Sequence, residues 1–81
     1  MSTEHQRLLR SISLKPQARR VLRHFRSRRT ISPMEAIVSY GIFRLAASIH
    51  ELRRAGFSIT TDLRQDAGGH RYARYKLETA A

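Results

Sequence analysis

The chain has no cysteine and no tryptophan, two prolines, and six acidic residues against sixteen basic ones. Each shortage removes a class of protein. Without cysteine, disulfides and thiolate zinc sites are excluded as staples for a small domain, and the composition fits a reducing compartment. No apolar run approaches the roughly 20 residues that span a bilayer. Near the N-terminus Leu8, Leu9 and Ile12 do not form the continuous apolar core of a secretion signal. The expectation is a soluble, cytoplasmic protein with no membrane partner. Catalytic signatures are missing too. His5, His24, His50 and His70 are scattered, with no helical pair spaced to hold a metal, and no glycine-rich phosphate cradle occurs. The reading is of a chain that is not an enzyme, holds no metal and needs no cofactor.

What is present is positive charge. Fourteen of the sixteen basic residues are arginine, and the formal net charge is +10. Arginine's planar fork suits bidentate contact with phosphates and guanine edges better than lysine's point charge. From His5 to Met34 nine basic residues run without one acid. A helix built for its own stability would interleave glutamate at i,i+4, so this stretch is arranged for an external polyanion. A membrane surface fits less well, because the basic segment lacks a broad face of bulky apolar residues.

The patterning divides 81 residues into an arm, one small domain and a tail. Residues 1–14 read as a flexible or partly helical arm, 15–78 as the domain and 79–81 as the tail. A chain this short buries only about 60–65% of its unfolded surface, so the core should be thin. Pro16 supplies a favoured first helical position, and Ala18, Val21, Leu22 and Phe25 follow at helical spacing. A first helix is expected from Pro16 to Ser27. Thr30-Ile31 suffices for a very short strand or a staple contact. Ser32-Pro33-Met34-Glu35 reads as a capping box, opening a second helix to about Ser39 that buries Ala36, Ile37 and Tyr40. Gly41 sits where a left-handed turn is needed. A third helix from Ile42 or Phe43 to Ala55 turns Leu45, Ile49 and Leu52 inward, and Gly56 ends it. The period then changes from 3.6 to 2. Phe57, Ile59, Thr61 and Leu63 alternate as in a half-buried strand, Arg64 to Gly69 is a loop, and Arg71 to Leu77 alternates again.

That order predicts an α+β winged helix-turn-helix, three helices followed by a β-hairpin wing. The segment from Ile31 to Leu77 also resembles a family of small winged helix-turn-helix proteins encoded by phages and prophages. The resemblance rests on ISPMEAIVSYGIFRLAASIHELRRAGFSITT and the closing RYARYKL. It implies a DNA-binding protein working in a bacterial host cell, and leaves the arm and the very basic first helix outside its pattern. The leading expectation is a transcriptional regulator or an architectural factor in excision or recombination that binds double-stranded DNA. Such proteins act as several copies, so a homodimer or cooperative assembly is allowed. The alternative is an interaction protein that binds and inhibits a host protein through the same fold.

With Leu45, Ile49 and Leu52 inward, the opposite sector of the third helix holds Phe43, Arg44, Ala47, His50, Glu51 and Arg54. Arg44 is the first candidate for a guanine edge, and Ala47 permits close approach or touches a thymine methyl. Ser48 is placed to reach a phosphate or base from the flank. Glu51 either accepts from a cytosine amino group or pairs with Arg54 or Arg44. Arg53 and Arg54 are as well suited to structural placement as to phosphate. The wing offers Arg64, His70 and Arg71 near its loop, with Arg74 further along and Tyr72 covering the outer face. Arg19, Arg20 and Arg23 on the first helix are left open between the same DNA, a second duplex, RNA and an acidic protein.

Overall fold

The computed structural model describes residues 14–78. Helix α1 (Pro16–Arg28), strand β1 (Thr30–Ile31), helix α2 (Pro33–Tyr40) and helix α3 (Leu45–Arg54) precede strands β2 (Ile59–Gln65) and β3 (Arg71–Leu77). The expectations for the arm before Leu14 and for the tail at 79–81 lie outside the described residues. Leu14 itself, assigned above to the arm, is only 4% exposed and belongs to the core.

α1 forms because Pro16 pre-sets the first turn and the apolar residues at 18, 21, 22 and 25 make one continuous buried stripe. It ends at Arg29, which takes the positive φ of 69° that glycine usually occupies. Two backbone bonds hold it there: its N–H donates to the Phe25 carbonyl (2.8 Å), and its own carbonyl accepts from Leu77 at the end of β3 (3.1 Å). α2 opens with the full capping box. The Glu35 N–H donates to Ser32 Oγ (3.2 Å) and the Ser32 N–H to Glu35 Oε1 (2.9 Å). Ala36 is fully buried, whereas Ile37 and Tyr40 are half-buried. Gly41 closes α2 in the left-handed region (φ 66°, ψ 23°). A side chain there would meet no atom within 4 Å, so its requirement for glycine is one of backbone conformation alone.

α3 begins two to three residues later than its pattern predicts. Ile42 is buried, plugging the core between α2 and α3, and its N–H reaches back to the Ala36 carbonyl (3.1 Å). The chain bends at Phe43 and stays non-helical at Arg44 (φ -115°, ψ 63°), which occupies the N-cap with no side-chain cap of its own. Phe43 and Arg44 therefore stand on the turn rather than on the helix barrel.

The sheet has three strands in the order β1-β3-β2, all antiparallel. β1 pairs through Thr30 with Lys76 and Ile31 with Tyr75, so the short segment before α2 is a true strand and ties the wing to the helices. β2 runs from Ile59 opposite Leu77 to Gln65 opposite Arg71. Only Ile59 of β2 is buried. Leu63, read above as an inward position, is 75% exposed, because the hairpin runs past the edge of the helical body. The core lies among the three helices and the root of the sheet, with Phe25, Leu22, Ile31, Ile42, Ile49 and Leu52 fully buried. His24 links three elements at its edge. Its Nε2 donates to the Thr30 carbonyl (3.0 Å) and its Nδ1 is hydrogen-bonded to the Tyr40 hydroxyl (2.6 Å).

Candidate nucleic-acid interface

α3 packs Leu45, Ser48, Ile49 and Leu52 inward and turns Ala46, Ala47, His50 and Arg54 outward. Ala47, His50 and Arg54 follow at i, i+3 and i+7, the spacing of a single ridge on one helix face. The first exposed turn of this ridge carries only methyl groups, so a partner can approach the helix backbone closely. Arg44 stands at the N-terminal end of that flat patch, and Arg54 lies ten residues further on. At 1.5 Å per residue these cations frame about 15 Å of helix.

Clefts run along both flanks of the ridge. On one side a cleft of about 540 Å³ is walled by Phe43, Ala46, Ala47, His50 and Tyr75, so the wing's root faces α3 across it. On the other, a cleft of about 450 Å³ is lined by Lys15 and Gln17 from the start of α1 together with Arg44, Ala47 and Glu51. Phe43 is 79% exposed at the mouth of the first. Ala46, Tyr75, Lys15 and Gln17 were not singled out in the sequence. Ala46 lies on the outward wheel and was legible there. The other three reach the site only through packing between elements.

Burial settles the position of Ser48, and hydrogen-bond partners settle those of Glu51, Arg74, Glu35 and Arg53. Ser48 is 5% exposed, because position 48 falls on the wheel between 45, 49 and 52, so it does not reach an external ligand. Glu51 is half-buried, and its Oε2 accepts the Lys15 backbone N–H (2.9 Å). It makes no ion pair with Arg44 or Arg54 among the described residues. It instead places negative charge at the start of α1, where the helix dipole favours it. Arg74 is not on a free outer face. Its Nη1 donates to Glu35 Oε1 (2.9 Å) and Thr30 Oγ1 (3.0 Å), clamping β3 to the capping box of α2. Burial alone would raise the Glu35 pKa, but the Ser32 hydrogen bonds and the Arg74 guanidinium outweigh it and hold the carboxyl below its usual range. Arg53 is likewise structural, donating from Nε (3.1 Å) and Nη2 (2.8 Å) to the Ile59 carbonyl and from Nη2 to Thr61 Oγ1 (2.9 Å).

The wing tip is folded by Asp66. Its Oδ1 accepts the backbone N–H groups of Gly68 (2.9 Å) and His70 (2.8 Å), while Gly69 takes φ 84°. The turn lifts His70 and Arg71 into solvent, both exposed. Arg64 is exposed on the opposite strand, its Nε 2.9 Å from Asp62 Oδ2. The expected cations of the wing are therefore present at its tip, apart from Arg74. Among the described residues no three potential metal ligands converge, and no helix is long and apolar enough to cross a membrane.

The arrangement is a short helix with a smooth, cation-framed outer face, preceded by a supporting helix and flanked by a basic hairpin. No curated protein and no solved structure matches the chain. The family model of the winged helix-turn-helix domain does, over residues 16–80, from the first residue of α1 to beyond the end of β3. The protein belongs to the winged helix-turn-helix domain family.

Proposed function

We propose that this chain binds double-stranded DNA, with α3 in the major groove and the wing tip against the flanking backbone. The observation that carries the reading is the outward face of α3: Ala46 and Ala47 open the helix to close approach, between Arg44 and Arg54. Arg44 then meets a guanine edge, Ala47 a thymine methyl, and Arg64, His70 and Arg71 the backbone or a neighbouring minor groove. The setting we infer from the resemblance of Ile31 to Leu77 is a phage or prophage protein in the bacterial cytoplasm. It acts there as a transcriptional regulator or as an architectural factor in recombination or excision, without catalysis. A regulator protects a discrete site; an architectural factor loads on adjacent sites and bends them. Fluorescence anisotropy with short duplexes tests the binding. With about five phosphates contacted, affinity should fall by a few hundred-fold between about 50 and 200 mM salt.

One observation favours a second reading. Met34 and Val38 lie at i,i+4 on α2 and are 67% and 76% exposed, an apolar strip that a host protein could cover. Duplex binding that is absent, or that ignores both salt and the Arg44→Ala substitution, would favour this protein-partner reading over DNA.

A further inference from the structure

α1 carries a second cationic surface that the α3–wing site does not use. Arg20, Arg23 and Arg26 follow at i+3 steps along its exposed side, each about 5–6 Å from the next at Cβ. Arg19 borders them, with its Nε donating to the Leu14 carbonyl (2.9 Å). The five acidic residues between positions 14 and 78 are all engaged elsewhere. Glu35 holds Ser32 and Arg74, Glu51 the Lys15 amide, Asp62 Arg64, Asp66 the wing turn, and Glu78 the Thr60 hydroxyl. None is offered to Arg20, Arg23 or Arg26. The helix dipole accounts for cations in the last turn, where Arg26 and Arg28 lie. It does not account for Arg20 and Arg23, which lie outside that turn.

The ridge also leads away from α3 and the wing tip. α1 lines the α3 cleft only through its first residues, Lys15 to Ala18, and Arg26 lies eleven residues beyond Lys15, about 16 Å along the axis. There Arg26 and Arg29 flank Leu77, at the root of the wing. Leu77 stands six steps along β3 from Arg71, about 20 Å of strand. The chemistry of the ridge selects the ligand. Its exposed side chains are arginine with no aromatic among them, which fits phosphates on a duplex rather than stacked single-strand bases. It also lacks the apolar anchor on which a protein or membrane contact depends.

We propose that Arg20, Arg23 and Arg26 form a second phosphate-binding face, so that one protomer bridges two segments of duplex DNA. This rests on the reading of α3 and the wing as the first duplex site. The test immobilises a duplex of about 20 base pairs, loads it with the full chain at low salt, and measures capture of a second, fluorescent duplex. Single-duplex affinity is measured alongside by anisotropy. The wild type should capture the second duplex. An R20Q/R23Q/R26Q variant should capture about fivefold less while its single-duplex affinity changes less than about threefold. Its melting temperature should be unchanged or raised, since like charges are removed.

Capture equal to wild type in that variant overturns the proposal, because bridging then comes from paired protomers. So does a parallel loss of single-duplex affinity, which would make α1 part of one continuous site. Wild type that binds one duplex and captures no second overturns this inference alone. Wild type that binds no duplex overturns it together with the DNA reading. If polyglutamate, but no second duplex, binds wild type and is lost in the variant, the face serves an acidic protein and the proposal fails.

Discussion

α1 and α3 pack against each other, and each carries arginine on its exposed side, but the two surfaces are built differently. α1 presents Arg20, Arg23 and Arg26 in succession, long side chains that keep a partner at arm's length. α3 presents alanine at 46 and 47 and sets its cations, Arg44 and Arg54, at the ends. The first surface can attract any phosphate backbone and read nothing. The second lets a helix backbone sit deep in a groove, where base edges are distinguishable. On the proposed DNA-binding reading, the number of arginines is a poor guide to the reading surface, and the small residues between them are the better one.

The largest expected effect tests that smoothness. Ala47→Glu puts a carboxylate against the phosphates without touching the core, and should weaken duplex binding by about a hundredfold or more. Circular dichroism should show the fold unchanged. Arg44→Ala should cost about 1–3 kcal/mol of binding and relax preference at one base position, read by selection from a random duplex library. The neighbours Arg53 and Arg54 sharpen the contrast within one helix. Arg53→Ala, which removes the bonds to Ile59 and Thr61, should lower stability by about 1 kcal/mol in urea denaturation. Arg54→Ala should leave stability alone and reduce affinity and its salt slope.

Two smaller effects concern the scaffold that aims the wing. Glu35 has a folded-state pKa held below its ordinary value of 4.5. Its contribution is therefore fully present above that value and lost as pH falls through the folded pKa. Glu35→Gln should be less stable than wild type at neutral pH, with the gap closing in thermal melts as the pH falls below 4.5 and through the depressed folded-state pKa. Arg29→Gly should raise stability by about 0.5–1 kcal/mol, since glycine accepts the φ of 69° without the steric penalty arginine meets.

The sequence made local features legible and tertiary ones not. Pro16, the Ser32–Glu35 box, Gly41 and the stripe of Leu45, Ile49 and Leu52 each act within a turn or two of chain, and each stands where its pattern placed it. The outward ridge of Ala47, His50 and Arg54 was readable for the same reason. Arg74 was not, because its partner Glu35 lies 39 residues away, and alternation along β3 says nothing about what faces it. Leu63 shows the converse. Its period marks one sheet face, but only the length of the helical body decides where that face stops being covered. Ser48 was a narrower error, a polar residue on a buried stripe whose wheel position outweighs its chemistry.

Amide chemical-shift mapping of the full chain, titrated with a duplex selected from a random library, decides whether α3 and the wing tip hold DNA. The largest changes should fall at Arg44, Ala46, Ala47, His50 and Arg54, with a second group from Arg64 to Arg71. Changes confined to Met34 and Val38 on α2, with α3 and the wing tip silent, would contradict it.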